Sequence, residues 1–521
     1  MQGIEAADFN PSAYRPPPLR GERNLRLCLR LQDLRSRGGF YLIFSNPVFL
    51  FLFLTSVFLL YRITPGIKAK NGLLIVFSLA FYTYGEPVAI FVMLISIVLT
   101  YIFGLIMAGN SKRKKFWLIV SVVLNLGILS VFKYTGFAAE LLNCIPGVAL
   151  SAPKSIFGIA GLPIGISFYT FQAISYVVDS YKEPSTAQRN IFKVMLYVTF
   201  FPQLVAGPII KYHDFKDLID KRQTTPQMTA EGMRRFIIGL SKKLIIADRL
   251  LVTADFVYGL DTAKVSAPLA WLGAAAYMLQ IFFDFSAYSD MAIGLASMFG
   301  FTFKENFNYP YISGSVQEFW RRWHISLSTW FKEYLYIPLG GNRKGKGRTA
   351  VNKLIVFFST GLWHGASLNF IVWGLLNGIF MMLEGLKQFN PAAWFKPFRH
   401  IYTLLVTLLM FVFFRADNLK DACSRIGRMF GGGNANSGEG LSLALRQFTP
   451  VFIFTLLLAV VFCMPVWRWI EHGIRRRETG VRLKAIALGD ALSYVVTLGL
   501  LLLCIITMAS STYKAFIYLR F

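Results

Sequence analysis

Apolar runs separated by short cationic stretches recur along most of this chain. "VFLFLFLTSVFLLY", "PVAIFVMLISIVLTYIFGLIMAG", "FWLIVSVVLNLGILSVF", "IYTLLVTLLMFVFF", "VFIFTLLLAVVFCM" and "ALSYVVTLGLLLLCIITMA" contain no charged residue. Several approach the ~20 residues that a helix needs to cross ~30 Å of hydrocarbon. The pattern predicts an all-α polytopic membrane protein with about eleven transmembrane helices and some re-entrant or interfacial ones.

The polar positions between the runs set an expected orientation. Arg62, Lys68 and Lys70 follow the first run and "NSKRKK" follows the third. Such loops belong on the cytoplasmic side, which places the N-terminus outside. In the middle, "LPIGISFYTFQAISYVVDSYKEP" (162–184) and residues 190–222 both end at basic loops, with "FPQLVAGP" inside the second. This predicts a broken or re-entrant helix, which needs surrounding protein or water at depth. "MRRFIIGLSKKLIIADRLL" (233–251) has cations between helically spaced apolar residues and is expected to lie along the interface. Residues 415–447 read as an outside loop, with "GGGNANSGEG" (431–440) as its flexible part.

Composition agrees. Of 521 residues, 55% are hydrophobic and 16% charged, where a soluble chain carries about a quarter. The net charge of +27 comes from cationic loops rather than a stripe on a soluble domain, so no nucleic-acid partner is expected. The five cysteines are scattered, with no zinc spacing, and no metal site is expected. Residues 1–42 are Arg- and Pro-rich and lack the layout of a signal peptide. They are expected to be disordered or to precede the true start. Residues 43–521 read as a single membrane domain.

Three polar sites interrupt the apolar pattern. In "GLWHGA", Trp363 and His364 lie between Lys353 and Lys387. If both lysines are cytoplasmic, the segment is a same-side hairpin with His364 roughly 16 Å deep. Gly365 would permit the bend, and Ser367 and Asn369 would satisfy freed backbone groups. A second Trp-His pair lies in "EFWRRWHISLSTWFKEYLYIPLGGNRKGKGR" (318–348). There Phe319, Trp323, Leu327 and Trp330 fall at helical spacing, Arg321 and Arg322 flank His324, and Arg343 and Lys344 sit in a Gly-rich loop suited to phosphates. The third site, "FFDFSAYSDMAIGL", puts Asp284, Tyr288 and Asp290 in an apolar stretch. These carboxylates need partners, expected from Arg, His or Tyr of neighbouring segments. A neutral imidazole suits general-base work near pH 7. No G-x-S-x-G elbow and no H-E-x-x-H metal signature occurs. On residues alone, a transporter or a structural secretion subunit remains an alternative to an enzyme.

The ordered blocks "LPIGISFYTFQAISYVVD", "FPQLVAGPI", "FFDFSAYSDMAIG", "ENFNYPYISGSVQEFWRRWHISLSTW", "YLYIPLGGNRKG" and "GLWHGASLNFIVWG" resemble the membrane-bound O-acyltransferase (MBOAT) family, specifically its AlgI-like branch of alginate O-acetyltransferases. The resemblance covers most of residues 43–521. It implies a helical fold with a thinned centre and a central funnel leading to His364 as the catalytic residue, with His324 the second required histidine. It implies acetyl transfer from a cytoplasmic donor, acetyl-CoA, with no tightly bound cofactor. The acceptor would be an exported, alginate-like polysaccharide, finished by an SGNH hydrolase-like partner outside a bacterial inner membrane. D-alanyl or other acyl transfer to an envelope polymer is the alternative within the family. The sequence departs from the family pattern at Ala287, where Gly is usual, at Lys332-Glu333, where Arg-Asp is common, and at Asn377, where many relatives carry His.

Overall fold

The computed structural model describes residues 42–510, apart from 110–111, 154, 160, 387–388, 390, 433–436, 467–468 and 470–478. The expectations for the Arg/Pro-rich N-terminus therefore fall outside the described residues, save for residue 42.

Regular structure among the described residues is helical, with one isolated extended pairing, Ile156–Ile159. The first half comprises α1 (Val48–Ile63), which opens as a π-helix, α2 (Ile67–Gly85), α3 (Ala89–Ala108), α4 (Lys114–Lys133), α5 (Thr135–Leu142), α6 (Ile166–Lys182), α7 (Ile191–Thr199) and α8 (Tyr212–Lys221). The predicted break falls between α7 and α8, where one helical turn, Phe201–Leu204, carries Pro202. Residues 200–212 are buried except Val205, which is partly so. Several of their polar groups find partners within the protein: Gln203 donates to the Tyr197 carbonyl, Ile210 O accepts the Tyr197 hydroxyl at 2.8 Å, and Phe201 N–H donates to Ser78 Oγ at 3.1 Å. Irregular backbone is thus wrapped in protein, as an apolar medium demands.

Next come α9 (Pro226–Ser241), a π-helical stretch Lys242–Ala247, α10 (Asp248–Gly259) and α11 (Ala267–Met298). The segment 233–251, expected along the interface, is not confined to a surface. One face of α9 presses backbone to backbone against α11. A Cβ on Gly232 would lie 2.6 Å from Gly294 O, and one on Gly239 would lie 2.8 Å from Ala287 O. Small residues at a crossing let helices approach closely in lipid, where packing and polar contacts replace the hydrophobic effect. The π-stretch then widens the turn, and the adjacent Lys242 and Lys243 reach different carboxylates of α11, Asp290 and Asp284.

The rest consists of α12 (Val316–Arg322), α13 (Ile325–Phe331), α14 (Gly345–His364), α15 (Leu368–Leu383), α16 (Lys396–Arg415), α17 (Leu419–Met429), α18 (Ser437–Arg446), α19 (Pro450–Phe462) and α20 (Thr479–Ser510). Residues 415–447 are therefore not one loop. Asn418 caps α17 through the Asp421 N–H, and Arg425 donates to the carbonyls of Val257, Tyr258 and Leu260, which close the end of α10.

Among the described residues, α3, α4, α11, α16 and the last part of α20 are long and apolar enough to cross a membrane, and α18–α19 would make a sixth bent span. Several other segments read as spans are shorter or broken helices. The apolar window of α11 is 83% buried, against 17% for α4 and 11% for α20. So α11 is the core helix, and α4 and α20 carry outward apolar faces suited to lipid.

Candidate active site

The hairpin that carries His364 is α14 and α15. They cross at glycines: a Cβ on Gly361 would strike Phe370 O, and one on Gly374 would strike Phe357 O. Gly365 has φ −167°, which any residue adopts. Its side-chain position is filled by the Phe370 ring, so it is glycine for space rather than for the bend. Asn369 donates to Ala416 O at 2.8 Å, which ties α15 to the end of α16, while Ser367 makes no capping bond.

The depth expected for His364 needs revision. Lys353 does not mark the mouth of the hairpin but lies inside α14, with its ammonium on Met381 O of α15 at 3.2 Å. The helix starts eight residues earlier, at Gly345, so His364 lies ~28 Å along its axis from that end. Arg343 and Lys344 are exposed at the opposite end of the helix from His364.

His364 is buried, with the rings of Trp363, Trp373 and Phe414 at 4.9, 5.1 and 5.2 Å between centroids. The last carbonyls of α14 lack helical donors. Gly365 N–H serves Gly361, the Tyr134 hydroxyl serves Leu362 at 2.9 Å, and the Lys133 ammonium serves Trp363. Lys133 also donates to Ser167 Oγ at 3.3 Å. Sequence reading missed both Lys133 and Tyr134, because a cation at the end of an apolar run looks like an ordinary flanking charge.

The second histidine segment is not one continuous helix. The α12 helix stops at Trp323, and His324 takes φ 44° and ψ 55° before α13 begins. A non-glycine residue in this left-handed region costs about 1–3 kcal/mol and persists only where its surroundings fix it. Here they do. Asn306 O accepts Ile325 N–H at 2.9 Å, and Asn306 Oδ1 accepts Ser326 N–H at 3.1 Å. His324 is fully buried, with Phe285 edge-on at 4.7 Å.

The N-terminus of α12 is equally fixed. Glu384, the residue that follows α15, accepts Val316 N–H at 2.7 Å and Gln317 N–H at 2.9 Å, Ser315 Oγ accepts Glu318 N–H, and Glu318 accepts Gly314 N–H. This extends the S-x-x-E capping box written in the sequence. Partial burial pushes the Glu318 carboxyl up, but the Gly314 N–H and Arg322 outweigh it and hold it below the ordinary carboxylate range. Trp320 Nε1 donates to Asn377 at 3.1 Å. The α15 helix, with Glu384 at its end, thus touches both histidine blocks, through Trp373 at His364 and through Asn377 and Glu384 at α12.

Trp363 lies beside both imidazoles, 4.9 Å from His364 and 6.0 Å from His324 between centroids. Phe171 stacks on Trp363 at 5.6 Å and on Trp330 at 3.7 Å, forming an aromatic wall across α6, α13 and α14. The structure therefore brings His324, His364 and Trp363 together.

The remaining candidates take other places. Trp323 packs into the aromatic core against Phe307, Phe319 and Phe411. Arg321 is exposed, and Arg322 pairs with Glu318 at 2.9 Å and donates to Asn308 O. Tyr288 is buried and stacks on Phe44 at 4.8 Å. Asp284 pairs with Lys243 at 2.6 Å, while Asp290 is held by Lys242 at 2.7 Å and Arg235 at 2.9 Å. Two lysines and one arginine thus answer the expected need for partners; arginine is among the expected types, and lysine is not. Ser289, between the two acids, accepts from Asn306 Nδ2 at 3.0 Å and so links α11 to the His324 turn.

Comparison with known proteins agrees with this architecture. The profile of "MBOAT, membrane-bound O-acyltransferase family" matches residues 80–424. The chain is 39% identical over 499 residues to a probable alginate O-acetylase AlgI of Pseudomonas putida, covering 92% of this chain and all of that protein. It is 37% identical to a peptidoglycan O-acetyltransferase of Helicobacter pylori, over 75% of this chain and 80% of the relative. With a teichoic acid D-alanyltransferase of Bacillus subtilis the identity is 28%, over 48% of this chain and 66% of the relative. The buried pair of imidazoles around Trp363 thus sits in a multi-pass O-acyltransferase, and the chain belongs to the membrane-bound O-acyltransferase family.

Proposed function

We propose that this protein passes acetyl groups from acetyl-CoA on the cytoplasmic side of a bacterial inner membrane toward the outside, for O-acetylation of an exported, alginate-like polysaccharide. The observation that carries the reading is the similarity gradient. Relatives named as acetylases or acetyltransferases share 37–41% identity, and the D-alanyltransferases share 24–28%.

His364 acts as the general base. Its imidazole takes the proton of the acceptor hydroxyl as the oxygen attacks the thioester carbonyl. The C–S bond breaks as the C–O bond forms, and the proton passes to the departing thiolate. His324, which also packs on Trp363, orients the thioester end. The aromatic walls exclude water, which protects the thioester from hydrolysis. Arg343 and Lys344, exposed at the far end of α14, attract the phosphates of the donor. An SGNH hydrolase-like partner outside completes transfer to the polymer.

Membrane vesicles from the native host test the donor. With acetyl-labelled acetyl-CoA added on the cytoplasmic face, the reading expects free CoA and labelled ester that depend on this protein. Label transfer from a D-alanyl carrier thioester, with none from acetyl-CoA, would replace it with D-alanylation.

A further inference from the structure

We infer that Asn306 is a positioning residue that fixes the tautomer of His324, with the proton on Nδ1 and the lone pair on Nε2. The observation is the set of bonds around one buried amide. Asn306 is fully buried, in the "ENFNYPY" block to which the sequence assigned no role. Its Oδ1 lies 3.1 Å from Ser326 N, 2.8 Å from Ser326 Oγ and 3.3 Å from His324 Nδ1, and its Nδ2 lies 3.0 Å from Ser289 Oγ.

The backbone N–H of Ser326 can only donate, so the amide atom facing it is the oxygen. That orientation also lets Nδ2 donate to Ser289. A second polar atom beside Nδ1 is Ser326 Oγ, at 3.5 Å. That hydroxyl accepts Ile209 N–H at 3.0 Å and has one proton, which the shorter contact directs to Asn306 Oδ1. Nδ1 therefore faces two oxygens with lone pairs. A lone pair on Nδ1 would be repelled, whereas a proton there is bonded. The neutral ring carries its basic site on Nε2. The same carboxamide holds the left-handed backbone of His324 through Ser326 N–H, so tautomer and ring direction are set together, as outer partners do for metal-bound imidazoles.

The groups around the ring are consistent with a neutral form. Phe285, Phe307 and Trp363 face it. His364 shares the Trp363 ring as a neighbour, and the carboxylates of Glu305 and Asp290 are paired with Arg235.

The test is nitrogen NMR of full-length protein labelled with 15N-histidine, whose five ring systems are sorted by loss of one in His324→Ala. The inference expects a pyrrole-type Nδ1 and a pyridine-type Nε2 for His324. In Asn306→Ala, both nitrogens should move toward an average of the two tautomers. Should that variant not fold, Asn306→Leu, which keeps the volume and removes the acceptor oxygen, should give the same change. A pyridine-type Nδ1 in the wild type, or ring signals unchanged in the folded variants, overturns the inference.

The part played by His324 in acetyl transfer belongs to the proposed function and is read separately, as polymer ester acetate in cells. His324→Ala and Asn306→Ala should each lower it roughly tenfold or more. Full acetate in His324→Ala would refute the catalytic reading and leave the tautomer result standing. Full acetate in Asn306→Ala alone would overturn the positioning role.

Discussion

Lys133 donates its ammonium to the backbone carbonyl of Trp363, the residue immediately before His364. The bond joins the last residue of α4 to the last turn of α14, where the helix has run out of its own donors. Lys133→Met keeps the volume and removes the donor. It should leave the Trp363 carbonyl without its donor and the α14 end loose, lowering turnover about tenfold with donor KM little changed, because misplacement of a catalytic group acts on the chemical step. Initial rates across donor concentrations separate the two parameters.

The Asp284–Lys243 pair, with Asp248 2.9 Å from the same ammonium, lies inside the protein. Breaking a buried pair costs about 3–5 kcal/mol, whereas replacing both members with apolar residues is often neutral. Asp284→Asn should therefore lower the thermal midpoint of the detergent-solubilised protein sharply, and Asp284→Leu with Lys243→Leu and Asp248→Leu, which removes all three charges, should recover most of the loss. Asp284→Asn protein with unchanged stability and no activity would instead place Asp284 in substrate binding.

Glycines of the His364 hairpin should respond unequally. A methyl group at Gly361 meets the backbone carbonyl of Phe370, and one at Gly365 meets the ring of Phe370. A ring can turn and a backbone carbonyl within a helix cannot. Gly361→Ala should cost about 1–3 kcal/mol or more through overpacking, and Gly365→Ala should cost less. Unfolding midpoints of the two variants check the order.

Glu384 caps α12 from the end of a distant helix. Glu384→Ala leaves two N–H groups without their acceptor and should cost ~1–2 kcal/mol. Glu384→Gln keeps one acceptor oxygen and should cost about half as much. Since α12 leads directly into the His324 turn, activity should fall in the same order, measured as ester acetate per unit of membrane-inserted protein.

Much of this site is legible in the chain. Both Trp-His blocks, the acidic segment and the "FPQLVAGP" break stand out because each sets polar or helix-breaking residues against an apolar background. The αL turn at His324 does not, because Phe319, Trp323, Leu327 and Trp330 keep helical spacing through it, and periodicity cannot see a backbone held open by Asn306. The partners of Asp284 and Asp290 are hidden for a related reason. A π-stretch aims Lys242 and Lys243 at separate carboxylates, and a helical wheel with 3.6 residues per turn misplaces both. Residues 415–447 look like a loop because α17 and α18 are short and amphipathic and their contacts, such as Arg425 on the α10 carbonyls, are distant in sequence.

The central claim is that His364 performs the acyl transfer. It is tested most directly by measuring ester-linked acetate on the exported polysaccharide of a strain whose chromosomal copy encodes His364→Ala, with the protein quantified in isolated membranes. The account predicts wild-type amounts of protein in the membrane and ester acetate reduced by roughly a hundredfold or more. Wild-type acetate from the membrane-inserted variant would contradict it.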